Sequence, residues 1–482
     1  MRLSEIPGHL FDVPAGAASL EVTGLSSDSR SVHSGDIFVA IPGTKADGGR
    51  YILDAAQNGA VAAVAAMSAV VPDGVPIPVL QSADPRLALA HLAALFHPGQ
   101  PAAIVAVTGT SGKTSVAEFT RQLFAACGHP AASLGTIGVV SPKGTVYGSL
   151  TTPDPISLHK TLSRLAAEGT THLAMEASSH GLDQHRLDGV RIKAAAFTNL
   201  GRDHMDYHPT IEHYFAAKMR LFTNLLPAGA PAVINVDGAR GNDAAAVARD
   251  AGRRVLTVGQ SGEFLTLNDV SAVGFAQRLA LTHEGRSYTV DLPLVGAYQV
   301  ENAVVAAGLA LALGEAPDVV VPALARLQGV KGRLEIVGER NRALGVVDYA
   351  HKPEAMAAAL DACRPFATGR LICVFGCGGD RDRGKRPIMG AIAAEKADVV
   401  IVTDDNPRTE EAAAIRGEIL AGASGAREIG DRAQAIRAAV AMMQPGDVVL
   451  VAGKGHETGQ IVGDTVLPFS DHEVLAEALQ SA

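Results

Sequence analysis

Apolar and polar positions alternate along this chain in blocks that predict strands and helices in turn. Short apolar runs at 104–107, 172–176, 194–199, 232–235 and 255–258 read as strands, with stretches of helical period between them. That alternation is the mark of a mostly parallel sheet. A β-rich stretch follows at about 264–294, and a helix is predicted from about Gln299 to Leu313. Near residue 330 the alternation starts again, with strands at 344–349, 371–376, 398–403 and 447–452. Ahead of all this, residues 1–98 hold short strands and turns and then an alanine-rich helix. The segment 96–101, Phe-His-Pro-Gly-Gln-Pro, reads as a linker. The pattern therefore gives an α/β chain in three blocks: 1–98, 99–329 and 330–482.

The first strand of the second block carries the sharpest chemical signal. It runs into Gly109-Thr110-Ser111-Gly112-Lys113-Thr114-Ser115, and a helical pattern begins at once. Backbone N–H groups at a helix N-terminus suit a polyphosphate. Lys113 supplies a mobile cation for β- and γ-phosphates, and the Thr114 hydroxyl can ligate Mg²⁺. The strict pattern G-x-x-x-x-G-K-[ST] is not met, because Val107 stands at its first position.

Composition narrows the classes. The 482 residues exceed one ordinary core. Net charge is −9, which argues against nonspecific binding to nucleic acid, so anionic substrates need local basic sites. The four cysteines form no C-x-x-C pair and read as buried, reduced thiols of a cytoplasmic protein. The longest apolar stretch, 60–71, is too short to span a bilayer, and residues 1–13 lack an apolar signal core. No membrane insertion and no nucleic-acid partner are expected.

In the third block every predicted strand ends in polar residues: Asp348-Tyr349-Ala350-His351, Gly376-Cys377-Gly378-Gly379-Asp380-Arg381, Asp404-Asp405-Asn406-Pro407-Arg408 and Gly453-Lys454-Gly455-His456-Glu457. Ligands of open α/β sheets bind at such carboxyl ends. The Gly376-x-Gly378-Gly379 cluster lacks dinucleotide-fold spacing. Read alone, Asp203-His204-x-Asp206-x-His208 could hold a transition metal, and Lys218 would be an ordinary solvated helix lysine.

Taken together, the segments resemble the Mur ligases, ATP-dependent amide-forming enzymes of peptidoglycan assembly. The shortened loop at Thr108–Thr114 resembles theirs, including the missing first glycine. Glu176-Ala177-Ser178-Ser179-His180 and the segment from Thr198 to Asp206 resemble their metal and substrate segments. Asn302, Arg333 and Asp348 resemble their nucleotide contacts. Asp405-Asn406-Pro407-Arg408 resembles the signature of the branch that adds meso-diaminopimelate to UDP-N-acetylmuramoyl-L-alanyl-D-glutamate.

The resemblance implies a small N-terminal α/β domain that binds UDP, a central P-loop-type parallel-sheet ATPase domain, and a Rossmann-like C-terminal domain that binds the amino acid. It implies ATP and two Mg²⁺ ions, held by Thr114, Glu176, His204 and Lys218, the last as a carbamate. Lys113, Glu176, His204 and Lys218 are then the catalytic set. Ser27, Ser29, Thr44, Lys45 and Ala46 match uridine-diphosphate contacts. Leu150, Thr151, Thr152, Ser178, Gln184 and Arg186 match muramoyl-dipeptide contacts. Arg381, Asp405, Asn406, Pro407, Arg408, Gly453 and Glu457 match the amino-acid site. There Arg408 suits the distal carboxylate, and Asp405, Asn406 and Glu457 are expected to accept from the ammonium. A monomer is expected. Two rivals stay open: another amide ligase such as a folylpolyglutamate synthase, and a P-loop switch that hydrolyses ATP to change shape.

Overall fold

The computed structural model describes residues 1–43, 47–146, 148 and 150–481. It folds into two compact units. One comprises Met1–Lys113, Phe124–Thr257 and Ala312–Gly314; the other comprises Thr114–Leu123, Val258–Leu311 and Glu315–Ala482.

The first unit holds two sheets. Four parallel strands, Gly24–Ser26, Asp36–Val39, Ala62–Ala66 and Val79–Ser82, pair in chain order. The helix Pro85–Phe96 covers them; it starts on Asp84, whose side chain accepts from the N–H groups of Arg86 and Leu87, with proline in the first turn. The larger sheet places Ala103–Thr108 between His172–Glu176 and Ile192–Phe197, all parallel. Pro231–Asn235 and Ala131–Gly135 flank them, again parallel. Apart from the exposed Lys193 and partly buried first residues, these strands are buried, as continuous apolar runs should be when helices cover both faces. The third strand ends at Phe197, two residues before the apolar run does, which leaves Thr198 and Asn199 free to bond the phosphate loop.

The second unit begins with three antiparallel strands, Leu265–Val273, Ala276–His283 and Arg286–Leu292, in the predicted β-rich stretch. The helix Ala297–Ala312 follows. A six-stranded sheet then runs in the order Glu335–Arg340, Ala343–Asp348, Val448–Ala452, Leu371–Phe375, Val399–Val402 and Arg427–Glu428. Only its first pair is antiparallel. Parallel register brings the carboxyl ends of four strands to one edge, where the sequence has its polar turns. Cys363, Cys373 and Cys377 are free and buried, Cys127 is partly buried, and no helix among the described residues is long and apolar enough to cross a membrane.

Candidate active site

Register builds the first part of the site. Val107 pairs with Glu176 and Thr108 with Phe197, so the phosphate loop, the Glu176 carboxylate and the Thr198–Asn199 turn leave three adjacent strands at one end. Gly109 has φ +148° and Gly112 φ +88°, values that favour glycine. A Cβ on Gly109 would also strike Thr198 Oγ1. Thr198 Oγ1 donates to Ser111 O at 2.7 Å, Ser111 N–H donates to Asn199 Oδ1 at 3.1 Å, and Gly201 N–H donates to Thr110 Oγ1 at 2.8 Å. The loop is thus held from outside, leaving a cradle in which a side chain would not fit. Lys113 opens the helix Lys113–Ala126, and its Nζ donates to Gly109 O and Thr110 O, both at 2.9 Å. Thr114 and Ser115 complete the first helical turn.

Lys218 is not a solvated helix lysine. It lies in the helix Ile211–Arg220, one turn after Tyr214 on the same face, and is 1% exposed. Its Nζ donates to Gly109 O at 2.7 Å and sits 4.2 Å from the centre of the Tyr214 ring. Burial, reinforced by the charge of Lys113 and opposed by Asp203, pushes the Lys218 amine down to about 6. The amine is therefore largely unprotonated at neutral pH. As a nitrogen donor it suits a hard cation poorly, whereas a carbamate would offer oxygens.

Glu176 is also 1% exposed. Its Oε1 accepts from Thr136 N–H at 2.7 Å and its Oε2 from Thr136 Oγ1 at 3.3 Å. Around it gather the predicted dipeptide contacts. Thr151 Oγ1 lies 3.0 Å from Thr136 Oγ1, and Thr152 Oγ1 donates to Glu176 O and accepts from Ser178 N–H. Arg186 donates to Thr152 O and to Gln184 Oε1, each at 2.7 Å, and Gln184 Nε2 donates to the Tyr207 hydroxyl. Leu150 is exposed. His204 has φ +55° and its ring stands 4.8 Å from that of His180. His208 does not join it in a metal cluster: its Nδ1 lies 2.9 Å from His213 Nδ1, among aromatic rings. Thr136, Tyr207 and Tyr214 also take part, although each is a lone polar or aromatic residue that no spacing marks out.

Of the uridine candidates, Ser27 is exposed and Ser29 half-buried in a turn started by Asp28, which accepts from Arg30 N–H. Thr44, Lys45 and Ala46 lie outside the described residues.

In the second unit Asn302 Nδ2 donates to Gln299 Oε1, and Gln299 Nε2 donates to Arg333 O. The Arg333 guanidinium lies over the Tyr349 ring, and its buried Nε has no hydrogen-bond partner among the described residues. Asp348 accepts from Leu334 N–H and Ala350 N–H, yet burial raises it to about 6. Gln299 thus ties two of the three predicted nucleotide contacts together.

The four polar strand ends close around one cavity of about 720 Å³. Arg381, Asp405, Asn406, Arg408, Gly453 and Glu457 all line it; Pro407 is buried in the same turn and does not. Arg408 adopts φ +51° and its Nη1 donates to Gly379 O at 2.9 Å. A Cβ on Gly378 would come within 2.8 Å of that Nη1. Asp405 is raised by burial, against the pull of Arg432 and Lys454.

Asn406 departs from the acceptor role expected of it. Its Oδ1 already accepts from Lys454 Nζ at 2.9 Å and from Ile461 N–H at 3.0 Å. Its Nδ2 donates to Glu457 Oε2 at 2.9 Å. What Asn406 has left is one N–H, so it can donate to a carboxylate and cannot accept from an ammonium.

The family model of the Mur ligase middle domain matches residues 107–310, that of the Mur ligase glutamate ligase domain residues 332–455, and that of the Mur ligase catalytic domain residues 21–97. The chain is 59% identical to a UDP-N-acetylmuramoyl-L-alanyl-D-glutamate–2,6-diaminopimelate ligase of Bradyrhizobium diazoefficiens, across 100% of this chain and 99% of the relative. It is 57% identical to the protein of the same name from Rhizobium meliloti, across 99% of each. Among solved structures, a UDP-N-acetylmuramoyl-L-alanyl-D-glutamate–2,6-diaminopimelate ligase superposes with a TM-score of 0.74 at 33% identity, across 98% of this chain and 97% of that one. With a phosphate loop of the short form, a buried carboxylate and lysine beside it, and matches along its whole length, this chain belongs to the Mur ligase family.

Proposed function

We propose that this chain joins meso-diaminopimelate to UDP-N-acetylmuramoyl-L-alanyl-D-glutamate at the cost of ATP, giving ADP and phosphate in peptidoglycan synthesis. The observation that carries the reading is the cavity at the strand ends. Arg408 and Arg381 supply cationic forks, Asn406 a free N–H and Glu457 a carboxylate, so one wall offers both halves of a zwitterion site. Lysine has the amine of diaminopimelate without its distal carboxylate. With lysine bound, Arg408 would be desolvated and unpaired, which costs on the order of 3 kcal/mol.

A carboxylate does not react with an amine because oxide is a poor leaving group. Transfer of the γ-phosphoryl group to the substrate carboxylate gives an acyl phosphate and ADP; the amine then attacks the acyl carbon and phosphate departs. Such transfer needs positioning and charge neutralisation. Gly109, Thr110, Ser111 and Gly112 cradle the phosphates, with Lys113 as the mobile cation and Thr114 and Ser115 at the helix start. Asn302, Arg333 and Asp348 are the remaining nucleotide contacts.

Thr114, Glu176, His204 and carbamylated Lys218 would hold two Mg²⁺ ions. Magnesium, when bound, neutralises charge on the phosphoryl oxygens. The carbamate forms when the unprotonated Lys218 amine adds to CO₂ and releases a proton. Arg186, Gln184, Ser178 and Leu150, Thr151 and Thr152 position the dipeptide end; Ser27, Ser29 and Thr44, Lys45 and Ala46 position the uridine end. On this reading 1–98, 99–329 and 330–482 are the UDP-binding, ATP-binding and amino-acid-binding domains, in a cytoplasmic monomer.

The test offers diaminopimelate and lysine in competition, with ATP and the UDP-muramoyl dipeptide. Phosphate release should require both the dipeptide and an amine, and diaminopimelate product should exceed lysine product about 100-fold. Equal use of the two amines, or full release from ATP alone, overturns the proposal.

A further inference from the structure

We infer that Lys454 is the positioning residue that aims Asn406 and Glu457 at the distal end of the amino-acid substrate, and so sets the preference for a zwitterion over a bare amine. This rests on the proposed function, since it concerns the same cavity.

Lys454 is a full-length cation with 0% exposure, lying one residue beyond Gly453 at the strand end. It is not part of the cavity wall, although Gly453 and Glu457 are. Its Nζ donates to Asn406 Oδ1 at 2.9 Å and to Glu457 Oε2 at 3.0 Å. An ammonium and a backbone N–H can only donate, so Asn406 must turn Oδ1 to Lys454 and Ile461, and Nδ2 to Glu457. The amide cannot flip without setting two donors against its NH₂ group and its oxygen against a carboxylate. Glu457 Oε2 is in turn filled by Lys454 and Asn406, which leaves Oε1 for a ligand. The cavity therefore receives one fixed N–H and one fixed carboxylate oxygen from a linked pair. A carboxylate and an ammonium on the same carbon complement that pair; an ammonium alone uses only half of it.

Lys454→Met keeps the unbranched side chain and removes the charge. The KM for diaminopimelate is expected to rise about 10- to 100-fold, with the KM for ATP and for the UDP-muramoyl dipeptide within about twofold of wild type. The preference for diaminopimelate over lysine should fall by about tenfold or more, because the acceptor positions that Lys454 fills on Asn406 Oδ1 and Glu457 Oε2 are then open to an ammonium. A merely structural role would weaken both amines alike. An unchanged preference, or an unchanged KM for diaminopimelate, overturns the inference. Where the melting curve shows that Lys454→Met does not fold, Lys454→Gln carries the test. Its amide still donates to Asn406 but brings no charge to Glu457, and a diaminopimelate KM about tenfold above wild type is expected; the wild-type value overturns it. A wild-type enzyme that shows no preference for diaminopimelate defeats the proposed function itself. A preference that survives in Lys454→Met defeats only the role of Lys454.

Discussion

Gly135→Ala tests the placement of the Glu176 carboxylate without altering Glu176. Gly135 ends its strand beside Glu176, outside the positive-φ region, so the perturbation is steric. An alanine Cβ there would lie 2.5 Å from Glu176 Cδ and 2.6 Å from Cγ, with Oε1 nearer still. A clash with Cγ cannot be relieved by turning the carboxylate alone. The side chain must swing away and lose the hydrogen bond from Thr136 N–H. A hydrogen bond to a charged group contributes about 1.5–3 kcal/mol. With each 1.4 kcal/mol worth about tenfold, kcat/KM should fall about 10- to 150-fold. Phosphate release with saturating dipeptide and diaminopimelate measures the loss, and ATP binding measured separately should stay within about twofold. In a Glu176→Ala background the same alanine should change activity by no more than about twofold, because its target is gone. Wild-type activity in Gly135→Ala refutes the reasoning, and so does a full additive loss in the double variant.

Two further outcomes follow from buried charges. Lys218→Ala should abolish turnover and regain part of it with formate or acetate, which restore carboxylate oxygens to the vacated space; full activity in Lys218→Ala sinks the carbamate. Asp188 is raised by burial but lowered more by His185 and Arg220, which pairs with it at 2.9 and 3.1 Å, so the carboxyl sits below its usual value. A depressed folded value adds stability above the unfolded pKa of about 3.9 and loses it as pH falls through the folded value. The melting temperature of Asp188→Asn should therefore lie below wild type at pH 7, with the gap narrowing as pH falls below about 4; a constant gap refutes this.

Much of the fold was legible because burial on both faces writes parallel strands as plain apolar runs. The strand at 172–176 matches its apolar run from end to end, and those at 371–375 and 448–452 lie within a residue of theirs. The polar strand ends were legible for the complementary reason: charged residues straight after a buried strand have no packing role. Arg381, Asp405, Asn406, Arg408, Gly453 and Glu457 all reach one cavity.

What the sequence could not give is how a polar atom's bonding capacity is spent. Asn406 reads as donor and acceptor alike until Lys454 and Ile461, about fifty residues away, are seen to take its oxygen. Gly135 at a strand end and Thr136 in the turn after it carry no mark in the sequence until pairing of that strand with the one ending at Glu176 brings the carboxylate against both. Lys218 shows the point most sharply. Its helix is amphipathic, and nothing in its period says that a lysine should lie on the buried face with Tyr214. The reason lies more than a hundred residues upstream, where Gly109 in the phosphate loop offers its carbonyl. Two amines, Lys113 and Lys218, converge on that one oxygen. Lys113 stays at the loop, where the proposed mechanism needs a cation for the phosphates, and its charge adds to burial in keeping Lys218 unprotonated. On the proposed mechanism, the residue that the motif marks as a phosphate ligand would also help prepare its neighbour for CO₂, a second role that arises from where the two helices begin and end.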